Sequence, residues 1–531
     1  MIKTIFKRMM PFKKMFYVVN VLLLIIYVSQ LLIPYVFSGF IDEVTQGVSI
    51  DTSTKPIMII AGLTLILMIC SYFHHITSEV LITKTGYAFL EDMDYKLEHM
   101  PLRETEKYSP AYLNNRLFND ILTTLGFVVH NFLVASIMLI STVVLFILII
   151  EINAFLVLIP LLAMAINILG IVTLNKPYYK RGYQYKEDNN HYVSENYNRI
   201  SQIKETKVHA WYETSRTRFK GAYKTVLKSG IRLNKILAAL NNIGTFSKNI
   251  TLILTMVIGG ALVVNQTITI GAFILITYYT NMCLNYSEFF FKLGQEYQHA
   301  KISYHRLEAL SSSENEPNGS FAPKTIDSVT VSKVSFAYPG KDVLIKNFSH
   351  RFEKGKIYCI KGKNGEGKTT LIDLILGLDY RFDGIIKYND MRIEKIDMIA
   401  LRNHQISVVM QEPRLDRLSV YDNLTKGLDN YTIEEVTNLI EIFGLSELMN
   451  LDTSQSLSGG EKQKVAIVRG LLKQPSLLIM DEPVSALDNT SITVLKQQLL
   501  KRKTSTIIIL ISHNDVLFDI VDAFIEMPKI D

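Results

Sequence analysis

The sequence contains little cysteine and little charge for its length. Its 531 residues include three cysteines, Cys70, Cys283 and Cys359, which are too few and too scattered for a disulfide framework or a cysteine-based zinc site. Charged residues make up 20% of the chain and apolar residues 48%. This balance argues against a disordered protein and against a wholly soluble one. Because one hydrophobic core rarely serves so long a chain, we expect two or more domains.

The apolar residues are concentrated in the first half of the chain. Six stretches there approach or exceed the roughly 20 helical residues that cross a bilayer, and ionisable side chains are almost absent from them. These stretches are 16–37, 57–73, 127–150, 152–174, 243–264 and 268–291. From about residue 326 onward, short β-rich runs alternate with helical patterns. The sequence therefore predicts an α-helical six-span membrane domain at 1–310, a linker at 311–325 and an α/β domain at 326–531.

Lysine and arginine are distributed unequally between the two sides of the predicted spans. The first 15 residues contain five of them, segment 81–126 contains five and segment 175–242 contains fourteen, whereas 38–56 contains only Lys55. The positive-inside rule then places both termini and the two long loops in the cytoplasm. We expect a multi-pass protein surrounded by lipid, whose net charge of +6 reflects membrane topology and not nucleic-acid binding. The first apolar run is too long for a cleavable signal core, so we expect it to be a span.

A glycine-rich loop follows the apolar run IYCIK at 357–361. Residues 362–369 read GKNGEGKT and precede a helical pattern, which is the strand, G-x-x-x-x-G-K-[ST] loop and helix of a phosphate-binding site. The predicted nucleotide-binding positions are Gly362, Asn364, Gly365, Gly367, Lys368, Thr369 and Thr370. Lys368 is expected to reach the phosphates of ATP, and Thr369 to bind Mg²⁺. Glu366 is an unusual acid in such a loop, and we expect it to point outward, although it could weaken nucleotide affinity.

A second acidic element follows another predicted buried strand, Leu477-Leu478-Ile479-Met480. It reads Asp481-Glu482-Pro483. Transfer of a phosphoryl group to water needs a carboxylate that holds the metal ion and a group that orients the attacking water. The sequence therefore predicts that Asp481 binds Mg²⁺ and that Glu482 acts as the catalytic base.

Residues 457–461, Leu-Ser-Gly-Gly-Glu, resemble the signature motif of ATP-binding cassette (ABC) proteins. Other residues match this family in chain order, and the resemblance implies their roles. Tyr338 is implied to stack on adenine, Gln411 to contact Mg²⁺ and relay to the membrane domain, and His513 to sense the γ-phosphate, while Ser458, Gly459, Gly460 and the D-loop residue Asp488 are implied to belong to the nucleotide site.

The membrane half resembles that of ABC exporter half-transporters. Segments 111–120, 200–207 and 264–273 are similar to the first cytosolic loop, the second cytosolic loop and the last hairpin of that family. The resemblance implies a head-to-tail dimer in which each ATP lies between the phosphate loop of one chain and 458–460 of the other. ATP binding would close the dimer and turn the spans outward, and hydrolysis would reset it. Because both motif sets are intact, we expect a homodimer, with a heterodimer as the alternative. The resemblance also implies a bacterial plasma membrane.

Two departures from the family pattern qualify the resemblance. Residues 453–456, Thr-Ser-Gln-Ser, are uncharged where many exporters have a glutamate, which implies weaker coupling between chains by that route. The cassette also ends at Asp531, soon after the predicted strand before His513, without the usual closing helices, which implies smaller dimer contacts.

The predicted spans contain few polar side chains and almost no carboxylates or lysines. The polar candidates for solute contact are Asn131, His130, Asn167, Asn249, Tyr278 and Tyr279. This composition suits a hydrophobic or amphipathic solute, such as a small peptide, lipid or drug, and argues against an ion or proton path. His74-His75 is interpreted as an interfacial pair and not a metal site. The alternative function is an ATP-dependent regulatory or gating membrane protein that does not pump, which an intact Glu482 disfavours.

Overall fold

The computed structural model describes residues 1–47, 54–108, 113, 116–363, 365–428, 431–449 and 457–528. Contacts divide the chain into two compact units. The first unit consists of Met1–Tyr95 and Pro110–Ser312, and the second of Lys96–Ser109 and Ser313–Asp531. The short segment Lys96–Ser109 therefore belongs to the unit that contains the α/β fold, although the linear sequence placed it in the membrane half.

Long helices make up the first unit. Up to residue 311 the described helices are α1 (Ile2–Met9), α2 (Lys13–Thr45), α3 (Thr54–Glu98), α4 (Leu102–Glu106), α5 (Ile121–Gly126), α6 (Leu133–Ile152), α7 (Leu158–Ser201), α8 (Ile203–Val208), α9 (Tyr212–Leu254), α10 (Gly260–Val264) and α11 (Ile270–Ser311). Of these, α4 lies in the second unit. Short π-helical segments at Arg116–Asp120, Phe127–Phe132 and Thr255–Gly259 adjoin these helices.

Five described helical stretches are long and apolar enough to cross a membrane. They are Ile2–Thr45, Thr54–Glu98, Leu117–Ile152, Ala154–Ser201 and Tyr212–Val264. They overlap the first five predicted spans, with 152–174 beginning two residues before its stretch. The sixth predicted span, 268–291, lies within helix α11 from Ile270 onward, and the count of six remains a prediction. The chain thus has the helical membrane domain that its composition predicts.

Asp42, near the C-terminal end of helix α2, contacts the start of helix α11. Its carboxylate accepts hydrogen bonds from the hydroxyl of Thr269 and from the backbone N–H of Gly271, both at 2.7 Å. These contacts satisfy donors at the start of α11. A Cβ atom on Gly271 would lie 2.1 Å from the carbonyl oxygen of Ser38, so only glycine allows this approach. Further along the same pair, the Tyr279 hydroxyl donates to the Leu31 carbonyl at 3.1 Å.

The second unit contains two sheets and the helices that cover them. Its strands are β1 (Ser328–Ala337), β2 (Val343–Glu353), β3 (Ile357–Lys361), β4 (Asp383–Tyr388), β5 (Met391–Arg392), β6 (Ile406–Val409), β7 (Leu477–Asp481), β8 (Ile507–Ile511) and β9 (Ala523–Glu526). Its helices after α11 are α12 (Lys368–Ile375), α13 (Met398–His404), α14 (Val420–Thr425), α15 (Ile433–Ile442), α16 (Gly459–Leu472) and α17 (Asn489–Arg502).

One sheet is antiparallel and the other is parallel. The antiparallel sheet has the order β2-β1-β4-β5, and the parallel sheet has the order β6-β7-β8-β3-β9. In the parallel register Cys359 lies beside Leu510, and Asp481 lies beside Ile511. Strands β3, β7 and β8 therefore end at the same edge of the sheet. Loops that follow parallel strands at this edge form the usual ligand site of α/β folds.

The parallel sheet is buried on both faces, as its continuous apolar strands predict. In β7, Leu477 and Ile479 enter the core shared with the antiparallel sheet, whereas Leu478 and Met480 enter the core under helices α14 to α17. This two-sided burial holds the strand ends rigidly, so the loops after β3, β7 and β8 are presented from a fixed base.

Candidate nucleotide-binding site

The loop after β3 has the backbone that the phosphate-loop motif predicts. Gly365 and Gly367 adopt positive φ angles of +87° and +88°, in the left-handed region that glycine enters without strain. A Cβ atom on Gly367 would lie 3.0 Å from Leu344. Helix α12 starts at the next residue, Lys368, so its N-terminal end adds a favourable dipole for an anion.

Lys368 lies at the centre of the site and is buried. Its ammonium group donates to the carbonyls of Gly362 at 2.7 Å and Lys363 at 3.0 Å, and lies 2.9 Å from Nε2 of His513. Because an ammonium group can only donate, Nε2 of His513 is placed to accept this hydrogen bond. The structure thus brings together two residues that are 145 positions apart in the chain.

Glu482 is held in place by its neighbours on strand β8. Its backbone N–H donates to the Ile511 carbonyl, and its carboxylate accepts the backbone N–H of His513, both at 2.9 Å. Glu482 has a φ of +47°, a conformation that costs a non-glycine residue about 1 kcal/mol or more. Such strain at the end of a buried strand, with the side chain oriented by a second predicted site residue, is typical of a functional position.

Asp481 and Thr369 lie together beside this group. The Thr369 hydroxyl is 3.4 Å from a carboxylate oxygen of Asp481, and burial raises the pKa of Asp481 while this hydroxyl contact opposes the rise. A carboxylate and a hydroxyl suit Mg²⁺, which takes few protein ligands and completes its shell with phosphates and water. Among the described residues no group of three or more histidine, cysteine or acidic side chains could hold a metal ion alone.

Glu366 turns back toward the phosphate loop and does not point outward as expected. Its carboxylate accepts the backbone N–H of Lys363 at 2.7 Å, and a Cβ atom on Gly362 would lie 2.6 Å from the same oxygen. The contact satisfies a loop amide locally, which explains the direction of the side chain. It also places a negative charge among the amides that would receive phosphate.

Tyr338 contacts the same site from the antiparallel sheet. Its hydroxyl lies 3.1 Å from that of Thr370, and its ring packs edge to face on Phe336. The guanidinium carbon of Arg103, on helix α4, lies 4.3 Å from the centre of the Tyr338 ring. Arg103 also forms an ion pair of 2.5 Å with Asp379, and both side chains are largely buried.

The signature turn is built as a helix start. Ser458 precedes α16 and accepts the N–H of Glu461, whose carboxylate in turn accepts the N–H of Ser458. A Cβ atom on Gly460 would lie 2.6 Å from the carbonyl oxygen of Ala486, so the turn lies against the D-loop. Ser458 and Gly459 are exposed.

The remaining predicted site residues make no described hydrogen bond with Lys368. Asp488 caps α17 through the N–H of Ser491 at 2.8 Å and pairs with Lys464 of α16, also at 2.8 Å, and these contacts hold its pKa well below the usual range. Gln411 is exposed shortly after β6. Within the described part of the chain, no hydrogen bond or ion pair joins 458–460 to the phosphate loop. Asn364 and the uncharged segment 453–456 lie outside the described residues.

Sequence reasoning missed Arg103. The linear sequence presents it as a cation of a cytosolic loop, and no local pattern around it indicates a contact with Tyr338.

Two further residues were missed inside the predicted spans, in which the sequence shows almost no ionisable side chains. Lys248 and Glu288 form an ion pair of 2.9 Å between helices α9 and α11. Glu288 precedes Lys292 by one helical turn, which was the available signal.

Comparison with known proteins gives a consistent result for both units. Residues 345–485 match the family model described as ABC transporter, and residues 16–286, just over half of the chain, match the one described as ABC transporter transmembrane region. A protein of Rickettsia typhi named as an export ATP-binding/permease protein is 26% identical over 98% of this chain and 92% of its own length.

Other relatives align with little more than a third of this chain. ABC transporter B family member 18 of Arabidopsis thaliana is 35% identical over 37% of this chain, and the alignment covers 17% of its own length. The tungstate uptake system ATP-binding protein TupC of Peptoclostridium acidaminophilum is 33% identical over 35% of this chain and 87% of its own. The chain therefore spans about a sixth of the length of the Arabidopsis relative.

Proposed function

The chain belongs to the ABC exporter half-transporters, and on that premise we propose that it hydrolyses ATP to drive export of a solute across a membrane. The observation that carries the proposal is the group formed by Lys368, His513 and Glu482 at the edge of the parallel sheet. It is attached to a chain whose other half consists of long apolar helices.

The contacts in this group support a division of roles. Lys368 and His513 share a hydrogen bond and would both face the γ-phosphate of ATP, the substrate of the site. Glu482, oriented by the backbone of His513, would accept a proton from the attacking water. Thr369, Asp481 and Gln411 would hold Mg²⁺, which supplies positive charge to the phosphates when it is bound.

The site requires a second chain under this proposal. The exposed signature turn at 458–460 makes no described hydrogen bond with the phosphate loop of its own chain, and it stands at the start of helix α16. In a head-to-tail dimer it would cover the ATP of the other copy. Because ATP would bind both halves only in the closed dimer, it would shift the population toward that state. A second copy of this chain is the partner proposed.

The solute is proposed to be hydrophobic or amphipathic, and the membrane a bacterial plasma membrane with both termini in the cytoplasm. The apolar helices support the first statement and the distribution of lysine and arginine supports the orientation. Of the polar side chains predicted to contact the solute, Tyr279 is buried and its hydroxyl donates a hydrogen bond to the Leu31 carbonyl, whereas Tyr278 is half exposed.

The first test is ATP hydrolysis by the purified full-length chain in lipid nanodiscs. We expect Glu482→Gln to lower the hydrolysis rate about 100-fold or more while ATP binding persists, because only proton transfer is lost. Glu434→Gln, which neutralises an exposed acid on α15, is the matched control and should match the parent. A parent that binds ATP without hydrolysing it would contradict a self-sufficient homodimer and direct the search to a partner half-transporter.

A second measurement separates pumping from gating. Inside-out vesicles that contain the chain should accumulate a labelled amphiphile when ATP is added, and vesicles with Glu482→Gln should not. Hydrolysis without accumulation of any amphiphile in a panel would contradict export.

A further inference from the structure

A polar cavity lies among three helices of the first unit. It has a volume of about 330 Å³ and lies between α7, α9 and α11. Its polar lining consists of Asn167, Asn241, Thr245, Lys248, Ser287, Glu288 and Lys292. Leu240, Ile243 and Leu284 supply apolar walls. None of these residues belongs to the candidate nucleotide-binding site.

The hydrogen bonds in the cavity leave donors in excess. One oxygen of Glu288 accepts from Lys248 at 2.9 Å and the other accepts from Lys292 at 3.2 Å. Among the described residues, each ammonium group makes that single hydrogen bond, whereas it carries three N–H donors. The amide of Asn167 donates weakly to Ser247 at 3.3 Å. The two lysines and one glutamate leave one net positive charge, and each oxygen of the carboxylate already accepts one lysine hydrogen bond.

Two of these charged residues lie inside predicted membrane spans. Lys248 and Glu288 fall inside two of the apolar spans, 243–264 and 268–291. At 1.5 Å per residue, Lys248 lies about 24 Å from Val264 along the helical stretch Tyr212–Val264, and the proposed orientation places it toward the cytosolic side of a hydrocarbon core about 30 Å thick. Charged groups at such positions are costly, and when present they usually face a cavity and contact what passes through it.

We propose that this cavity binds the anionic head group, a phosphate or a carboxylate, of the exported amphiphile. The excess donors and net positive charge suit an anion, whereas a cationic head group would face two ammonium groups. The apolar walls beside the lysines would accommodate the start of a hydrocarbon chain. This assignment rests on the proposed export function and narrows its solute class.

Charge variants of the full-length chain test the assignment, with radiolabelled dodecyl phosphate as the probe in nanodiscs of zwitterionic lipid. Lys292→Gln leaves the Lys248–Glu288 pair intact and removes the net charge, so the dissociation constant should rise about fivefold, the effect of one partly exposed charge contact. Glu288→Gln releases both lysines, so binding should tighten by about the same factor. Lys292→Arg should bind as the parent does.

Controls distinguish this site from general charge effects. Lys235→Gln removes an exposed cation from the same helix α9, outside the cavity, and should leave the dissociation constant unchanged. A purely structural role for Glu288 predicts weaker binding in Glu288→Gln, and that result would overturn the proposal. Displacement of the probe by inorganic phosphate at equal concentration would also overturn it, because the ligand would then be the free anion. So would tighter binding of dodecyltrimethylammonium than of dodecyl phosphate.

The hydrolysis rate of the same parent sample tests the proposed function independently. If the parent hydrolyses ATP and all variants bind dodecyl phosphate alike, the head-group site is wrong and the exporter proposal stands. If dodecyl phosphate binds with the predicted order of affinities but the parent does not hydrolyse ATP, the proposed function fails and the cavity remains an anion site.

Discussion

Single carboxylates decide much of the electrostatics in the candidate site. Glu482 is held by a backbone N–H of His513, whereas Glu366 accepts a backbone N–H inside its own phosphate loop. The two glutamates therefore have different hydrogen-bond partners, and we expect them to have opposite effects on the site. Under the proposed function, Glu482 would face the attacking water. The other occupies space and donors that an incoming phosphate would use.

This arrangement predicts that Glu366 weakens ATP binding. Glu366→Gln keeps the side-chain shape and removes the charge, so the dissociation constant for ATP should fall about fivefold, the effect of removing one partly screened like charge near the phosphates. Equilibrium titration of the chain with a fluorescent ATP analogue, in competition with ATP, measures this. Glu434→Gln should not change the value. An unchanged or weaker affinity in Glu366→Gln would contradict the role given to this carboxylate.

At the scale of elements, the short helix α4 is anchored to the α/β fold by one arginine. Arg103 pairs with Asp379 and lies over the rings of Phe336 and Tyr338. A backbone hydrogen bond strengthens the attachment, since the His99 carbonyl accepts the N–H of Glu316 at 2.7 Å. The helix therefore contacts the residue that is expected to stack on adenine.

Asp373 on α12 responds to the charges of this helix. Burial, and after it the nearby carboxylates of Glu106 and Asp379, raise the pKa of Asp373 to about 6, while Arg103 opposes the rise. A carboxyl whose pKa is raised in the folded state contributes stability below its unfolded value of about 4, and this stability is lost as the pH rises through about 6.

Arg103→Gln should therefore destabilise the α/β unit more at pH 8 than at pH 5. Loss of a largely buried ion pair costs about 3 kcal/mol, and at pH 8 the ionised Asp373 also loses its neighbouring cation. Thermal unfolding of the full chain in detergent at the two pH values measures the difference. Lys107→Gln, which breaks only an exposed pair with Glu104 beside the same helix, is the control. An equal loss at both pH values would mean that Arg103 does not act on Asp373.

At the scale of the whole molecule, we expect the candidate site to be complete only when two chains share it. The described residues of the phosphate loop and of the signature turn each have a defined local structure, yet no described hydrogen bond links the two within one chain. This arrangement is typical of a symmetric dimer in which each copy supplies half of each of two sites.

Two inactive variants should restore activity to each other. Lys368→Ala disables the phosphate loop and Ser458→Arg blocks the signature turn, so neither homodimer should hydrolyse ATP. In a mixed dimer one of the two sites carries both changes and the other carries neither. A random mixture should thus show about a quarter of the parental rate, since half of its dimers are mixed and each has one intact site. Isolated mixed dimers with no hydrolysis would contradict shared sites.

The sequence by itself determined the features that depend on neighbouring residues. The phosphate loop was predictable because consecutive backbone amides and glycines make it, and strands β3 and β7 because their apolar runs are continuous. The first five spans followed from length and composition. The order of the motifs identified the family before any contact was known.

Only the tertiary structure decided which distant residues meet. The pairing of Lys248 with Glu288 joins positions 40 residues apart, and that of Lys368 with His513 joins positions 145 apart. The attachment of Arg103 to Asp379 and the inward turn of Glu366 were likewise invisible in the linear pattern. The physical reason is that helix and strand propensities depend on local neighbours, whereas the partner of a charged side chain depends on how whole elements pack.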